Sequence, residues 1–354
     1  AKHRAIDHFR RMRLAERKHG EIGQEQQSLE RDMPDFDSAL DDDIGDDLLR
    51  LIFTACHPVL SPEARAALTL RLLGGLTTDE IARAYLVAEP TIAQRIVRAK
   101  RTLSDAGVPF EVPHGDDRGE RLASVLDVIY LVFNEGYAAT AGGDWIRPQL
   151  AEEALRLGRV LAGLAPLEPE VHGLVALMEI AASRFGARTG PDGEPILLLD
   201  QNRARWDQLL IRRGLAALAL AESLGGEPGP YRLQAAIAAC HARARVAEDT
   251  DWPRIVALYG ALAELMPSPV IELNRAVAVG MASGPAAALE LVDVLNAEPA
   301  LKSYHLLPSV RGDLLTKLGR HGEARAEFER AAQLARNERE RKLLLARAAE
   351  AAAK

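Results

Sequence analysis

The stretch SPEARAALTLRLLGGLTTDEIARAYLVAEPTIAQRIVRAKRTL, residues 61–103, admits few folds because its helix starts and stops are so closely spaced. Ser61 before Pro62 reads as an N-cap with proline at the first helical position, and Gly74 with Gly75 ends that helix. Thr77 and Glu80 stand three residues apart, the spacing of a reciprocal capping box. A turn at Leu86 and Val87 leads to a last helix with Pro90 in its first turn. Two helices joined so tightly predict a helix-turn-helix unit, with the apolar segment LLRLIFTACH as a further helix ahead of it.

The last helix has two chemical faces. Ile92, Ile96, Ala99 and Leu103 recur at the helical period and are expected to pack against EIARAY. Thr91, Gln94, Arg95, Arg98 and Arg101 then point partly or wholly outward. The chain carries 44 Lys+Arg against 51 Asp+Glu, a net charge of −7, yet Arg95, Arg98, Lys100 and Arg101 crowd into seven residues. An apolar back and an outward row of long donors are what a helix needs to reach base edges and phosphates in a major groove. Solvated surface arginines are the plainer alternative. The capped helix and tight turn in front weigh towards DNA reading.

Elsewhere the composition favours an all-α chain. Apolar residues make up 48% and aromatic ones 5%, with long runs of Ala, Leu, Arg and Glu, so helices can pack through small and aliphatic side chains. Residues 1–20 predict a basic amphipathic helix, with seven Lys and Arg against Asp7 and Glu16. Because it opens on Ala1 inside a helical pattern, a preceding segment is expected. Residues 25–47 reverse the sign, with ten acidic residues against Arg31, and read as a flexible linker. Residues 143–354 look helical throughout, except for a turn-rich excursion over 186–202 with a short extended run at Ile196–Leu199. An internal repeat shows in the last third: Pro267 and Pro299 are 32 apart, and Gly312, Gly319, Ala324, Phe328 and Ala331 are spaced as in a tetratricopeptide unit.

The 63–103 block resembles region 4 of bacterial RNA polymerase sigma factors of the extracytoplasmic-function type, a branch of the sigma-70 family. AKHRAIDHFRR resembles the end of region 2 in the same proteins. The C-terminal part, with VFNEGYAAT and LLLDQNRARWDQLLIRRG, is similar to the subgroup carrying a tetratricopeptide-like extension. The resemblance divides the chain into the end of region 2 (1–22), an acidic linker (23–47), region 4 (48–112), a connecting helix (113–142) and a helical-repeat domain (143–354). It implies that region 4 reads the promoter −35 element through Thr91, Ala93, Gln94, Val97 and Arg98, with Arg95 and Arg101 beside them. It also implies that Lys2, His3, Arg4, Arg10 and Arg11 serve the −10 element. Ala93 departs from the basic residue common at its position, and His3 from an Asn, so some familiar contacts are replaced. The part of region 2 that grips the polymerase clamp lies outside this chain, and the chain as given is not expected to start transcription unaided. The linker, which in the family threads near the RNA path, would act there as a polyanion mimic or as a solubilising tether.

The implied partners are core RNA polymerase and promoter DNA, with a protein or peptide ligand in the groove of the repeats. A stand-alone helix-turn-helix regulator with a repeat-based oligomerisation domain is the alternative, and a repeat scaffold with an incidental basic helix is a third reading. Neither an enzyme nor a cofactor is expected. Cys56-His57 and Cys240-His241 sit in apolar helical contexts without metal-knuckle spacing, and so are assigned to core packing. Asn134, Glu135 and Asp200 lack a nucleophile–base pair or phosphate loop and are assigned to capping and tying helices. In RARWDQLLIRRG, Trp206 and Leu209–Ile211 are expected in a core, leaving Arg203, Arg205, Arg212 and Arg213 to pair or to face partners. The two cysteines fit a reducing cytoplasm, and no apolar stretch is long enough to span a bilayer.

Overall fold

A computed structural model describes residues 44–85, 87–113, 117–139, 145–191 and 193–353. Lys2, His3, Arg4, Arg10 and Arg11, most of the acidic linker and the turn residue Leu86 lie outside the described residues. The fold is all-α: fifteen α-helices among the described residues, with one isolated β-bridge between Thr189 and Pro195. The chain forms two compact units, one ending at Leu131 and one beginning at Val132.

In the first unit α1 (Ile44–Ala55), α2 (Pro62–Leu72), α3 (Thr78–Tyr85) and α4 (Glu89–Asp105) are joined by the first part of α5 (Asp117–Tyr137). α1 begins inside the acidic run rather than after it. Carboxylates in a first turn complement the helix dipole, and Asp47 also pairs with Arg50 at 2.6 Å. Ser61 caps α2 by accepting from the Ala64 N–H, and Gly75, at φ 66°, turns the chain out of it. The capping box forms as its spacing requires: Thr77 N–H donates to Glu80 Oε2 at 2.8 Å, and Glu80 N–H to Thr77 Oγ1 at 3.1 Å. The Thr78 hydroxyl then reaches Glu89 at 3.0 Å, tying the starts of α3 and α4 together. α4 packs on α2 and α3. The first part of α5 is pinned to the end of α1 by Arg121, which donates to the Phe53 carbonyl at 3.1 Å, and by Ser124, which bonds the Cys56 carbonyl.

The second unit contains the end of α5, then α6 (Pro148–Leu164), α7 (Pro169–Ala182), α8 (Gln208–Ser223) and α9 (Pro230–Arg243). Then come α10 (Trp252–Leu265), α11 (Pro269–Ser283), α12 (Pro285–Leu295), α13 (Leu306–Lys317), α14 (His321–Leu334) and α15 (Glu338–Ala352). α7 is buried along its whole length from Val171 to Ala182 and packs on α6, α8 and α9, as a helix apolar on every side must. Its one buried acid, Glu179, is paired with Arg159 at 2.8 Å. From α9 onward each helix packs on the next. Small residues set the spacing: a Cβ on Gly280 would meet Ala288 at 2.9 Å, and one on Gly312, a 32-residue step later, would meet the Phe328 ring at 2.9–3.1 Å.

Two local expectations are corrected. Ile196–Leu199 does not form an extended run: pairing reaches only from Arg188–Gly190 to Glu194–Ile196, and Leu198–Asp200 is a 3₁₀ turn. With no neighbouring strand to prolong the ladder, the chain curls back. Leu209 is not in a core. Asp207 caps α8, and this phase turns Ile211 inward beside Trp206 while leaving Leu209 53% exposed.

Candidate nucleic-acid interface

The 3.6-residue period of α4 decides what its side chains can touch. Ile92, Ile96, Ala99 and Leu103 are all buried, so the opposite side must face outward. That side carries Gln94 and Arg101, flanked by Val97 and Arg98, and all four are exposed. Thr91 is exposed on one flank; Arg95 on that flank and Ala93 and Lys100 on the other are half-buried. All seven expected −35 residues therefore lie on one helix, five projecting and two, Ala93 and Arg95, at the margins. Pro90 in the first turn removes an N–H that no intrahelical carbonyl could have met.

The outward cations differ in their freedom. Arg101 leans towards Asp105 at 3.4 Å, with both side chains largely in water, so the pair is weak and readily exchanged for another anion. Arg98 has no carboxylate partner among the described residues. Arg95 neighbours Glu63 in the first turn of α2. That carboxyl is held below its ordinary range by a hydrogen bond from its own backbone N–H and one from Ser61, with Arg95 and Arg65 adding to the effect. A groove of about 390 Å³ runs between the start of α2 and this flank of α4, lined by Ser61, Thr91, Gln94, Arg95, Arg98 and Thr102. It combines hydroxyl, amide and guanidinium donors, the groups that bond phosphate oxygens and base edges. Outside this groove, Val97, 49% exposed, is the one large apolar side chain on the outward side of α4, suited to contact with a thymine methyl group.

Some of the remaining sequence-derived candidates find structural work, and others do not. Cys56 is buried, with its sulfur 3.3 Å from the Thr69 hydroxyl, and burial raises its thiol pKa to about 11. Cys240 is likewise a buried free thiol. Glu135 pairs with Arg147, both largely buried, and so ties the end of α5 to the start of α6. Asn134 and Asp200 are exposed. Arg203 donates to the His241 and Ala244 carbonyls at 2.6 and 2.9 Å and so closes the C-terminus of α9, whereas Arg205, Arg212 and Arg213 are exposed. Sequence reasoning missed one grouping, buried Arg188 with half-buried Tyr137, Trp145 and Arg184, because these residues come from separate segments and share no motif. Among the described residues no helix is long and apolar enough to cross a membrane.

Comparison with known proteins places two families on the chain. Residues 50–103 match sigma-70, region 4, and residues 121–222 match a family of unknown function, DUF6596. A protein of Rhizobium meliloti (strain 1021) described as "Uncharacterized protein R00370" is 47% identical over 316 residues, which cover 88% of this chain and 74% of that protein. No solved structure matches the chain. Sigma-70 region 4 is a transcription-factor domain, and the match supports a DNA-binding role in transcription for residues 50–103. The chain belongs to one family with the rhizobial protein, and within it residues 50–103 match sigma-70, region 4.

Proposed function

We propose that the chain directs core RNA polymerase to promoters as a sigma factor of the extracytoplasmic-function type. α4 enters the major groove of the −35 element, with Gln94, Arg98 and Arg101 donating to bases and phosphates and Val97 against a thymine methyl. Thr91 and Arg95, beside the start of α2, hold the adjoining backbone, and Ala93 allows close approach. Lys2, His3, Arg4, Arg10 and Arg11 serve the −10 element by resemblance alone. The second unit, read as a tetratricopeptide-like array, is a control surface for a protein or peptide ligand. Cytoplasmic location follows from this role.

The observation that supports the reading is the phase of α4: four apolar residues buried, and a basic, amide-bearing row left outward within a matched region 4. The test is reconstitution of the complete protein with core polymerase and a scan for promoter-specific transcripts. Transcripts that disappear on substitution of Arg98 support the reading. Tight operator binding without polymerase, and no transcripts with it, would favour the stand-alone regulator instead.

A further inference from the structure

Several buried or half-buried arginines of the second unit are tied to carboxylates or to backbone carbonyls. Arg147 is paired with Glu135, Arg159 with Glu179, Arg311 with Asp293 and Glu327, and Arg347 with Asp313. Arg203 and Arg232 spend their donors on backbone carbonyls. Arg184 and Arg188 do neither. Arg188, only 7% exposed, lies with its guanidinium carbon 3.6 Å from the centre of the Tyr137 ring and 5.4 Å from that of Trp145. Arg184, half-buried, stands 5.5 Å from the same Tyr137 ring and 6.0 Å from Trp206. Arg184 makes no side-chain hydrogen bond or ion pair among the described residues, and Arg188 has only the Tyr137 side chain.

Two like charges therefore share one aromatic ring with no carboxylate paired to them among the described residues. Burial lowers the pKa of Arg188, and Arg184 lowers it further. Glu248 and Asp249 offset Arg203 rather than this pair. The buried polar atoms left without partners here include four donors: Arg184 Nε, Arg188 Nε, Trp145 Nε1 and Trp206 Nε1. Buried donors in native proteins are nearly always satisfied, so a cluster of orphans calls for an acceptor from outside the described residues. Unmet positive charge, N–H donors at several angles and aromatic walls together complement an oxyanion, which guanidinium groups grip through paired hydrogen bonds. Arg184 is the more open of the two guanidinium groups to water, and Arg188 the more deeply buried.

We propose that Tyr137, Trp145, Arg184, Arg188 and Trp206 form a binding site in the second unit for a small ligand bearing a carboxylate or phosphate group. Such a ligand would neutralise the two guanidinium groups and join α5, the segment after α7 and the approach to α8. Occupancy would thereby stiffen the unit read above as a control surface. The site stands on its own residues and does not depend on the promoter reading.

The test uses the complete protein, following tryptophan emission and thermal unfolding during titration with inorganic phosphate and, separately, succinate, against sodium chloride at matched ionic strength. A saturable emission change with a rise in Tm is expected for at least one oxyanion. A response to phosphate alone identifies a phosphoryl ligand, and one to succinate alone a carboxylate. Arg184→Gln is expected to weaken the response tenfold or more, and Arg212→Gln, at an exposed position on α8, to leave it unchanged. Trp206→Phe keeps an aromatic ring, smaller than the indole, and removes the N–H, which covers the case of a poorly folding Arg184 variant. No saturable response to either oxyanion, or one of equal affinity in the native protein, Arg184→Gln and Trp206→Phe, overturns the proposal. Promoter-specific transcription is not part of this readout, so failure here leaves the proposed function untouched.

Discussion

Asn337 Nδ2 donates to the Ala139 carbonyl oxygen at 3.2 Å, joining residues 198 apart in the chain. The same side chain caps α15, its oxygen accepting from the Arg339 and Glu340 N–H groups at 3.0 and 3.3 Å. Asn337 is fully buried, so both ends of its amide are satisfied where water cannot replace them. Asn337→Ala is expected to lose the cap and to orphan a buried carbonyl, about 2–3 kcal/mol in all. Denaturant unfolding of the second unit checks it, with Asn337→Ser, which keeps a cap but not the long-range bond, falling between.

Arg98→Ala is expected to weaken −35 binding by about 1–3 kcal/mol if the guanidinium grips a base. The exposed, unpaired side chain should leave Tm unchanged. Competition binding against single-base variants of the site separates the cases: equal loss on every sequence marks a phosphate contact.

Glu80→Ala removes half of the capping box at the start of α3. A destabilisation of about 0.5–2 kcal/mol is expected in the first unit. Thermal melts of the variant should show this transition move while that of the second unit stays.

Gly312→Ala places a methyl group against the Phe328 ring. Overpacking at this helix crossing is expected to cost about 1–3 kcal/mol. Gly322, whose added Cβ would meet nothing, is the control, and Gly322→Ala should be neutral or slightly stabilising. Equilibrium unfolding of the two variants decides it.

His241 supplies a pH dependence. Burial chiefly, and then Arg184 and Arg203, lower its pKa from 6.5 to about 4. The unfolded chain takes up a proton near pH 6.5 while the folded one stays neutral to about pH 4, so between these values the unfolded state binds more protons. The contribution is therefore intact above pH 6.5 and declines as pH falls through the window, by up to about 2–3 kcal/mol. His241→Asn should flatten that part of the stability curve, as denaturant midpoints between pH 7 and 4 would reveal.

Much of the first unit could be read directly from the order of its residues. Ser61-Pro62, Thr77 with Glu80, and the spacing of Ile92, Ile96, Ala99 and Leu103 act within one or two helical turns. Local hydrogen bonding and a single period settle where such helices begin and which side of α4 faces out. Leu209 shows where this reasoning fails: an apolar residue beside a tryptophan looks buried, yet the cap at Asp207 phases it outward.

Residue order by itself determined the helical class, the helix-turn-helix and the outward row on α4, because these depend on neighbours within a few positions. Only the tertiary structure decided that Asn337 meets Ala139, and that Arg184 and Arg188 share the Tyr137 ring. Those groups come from segments far apart in the chain, and their burial and charge balance exist only once the helices have packed.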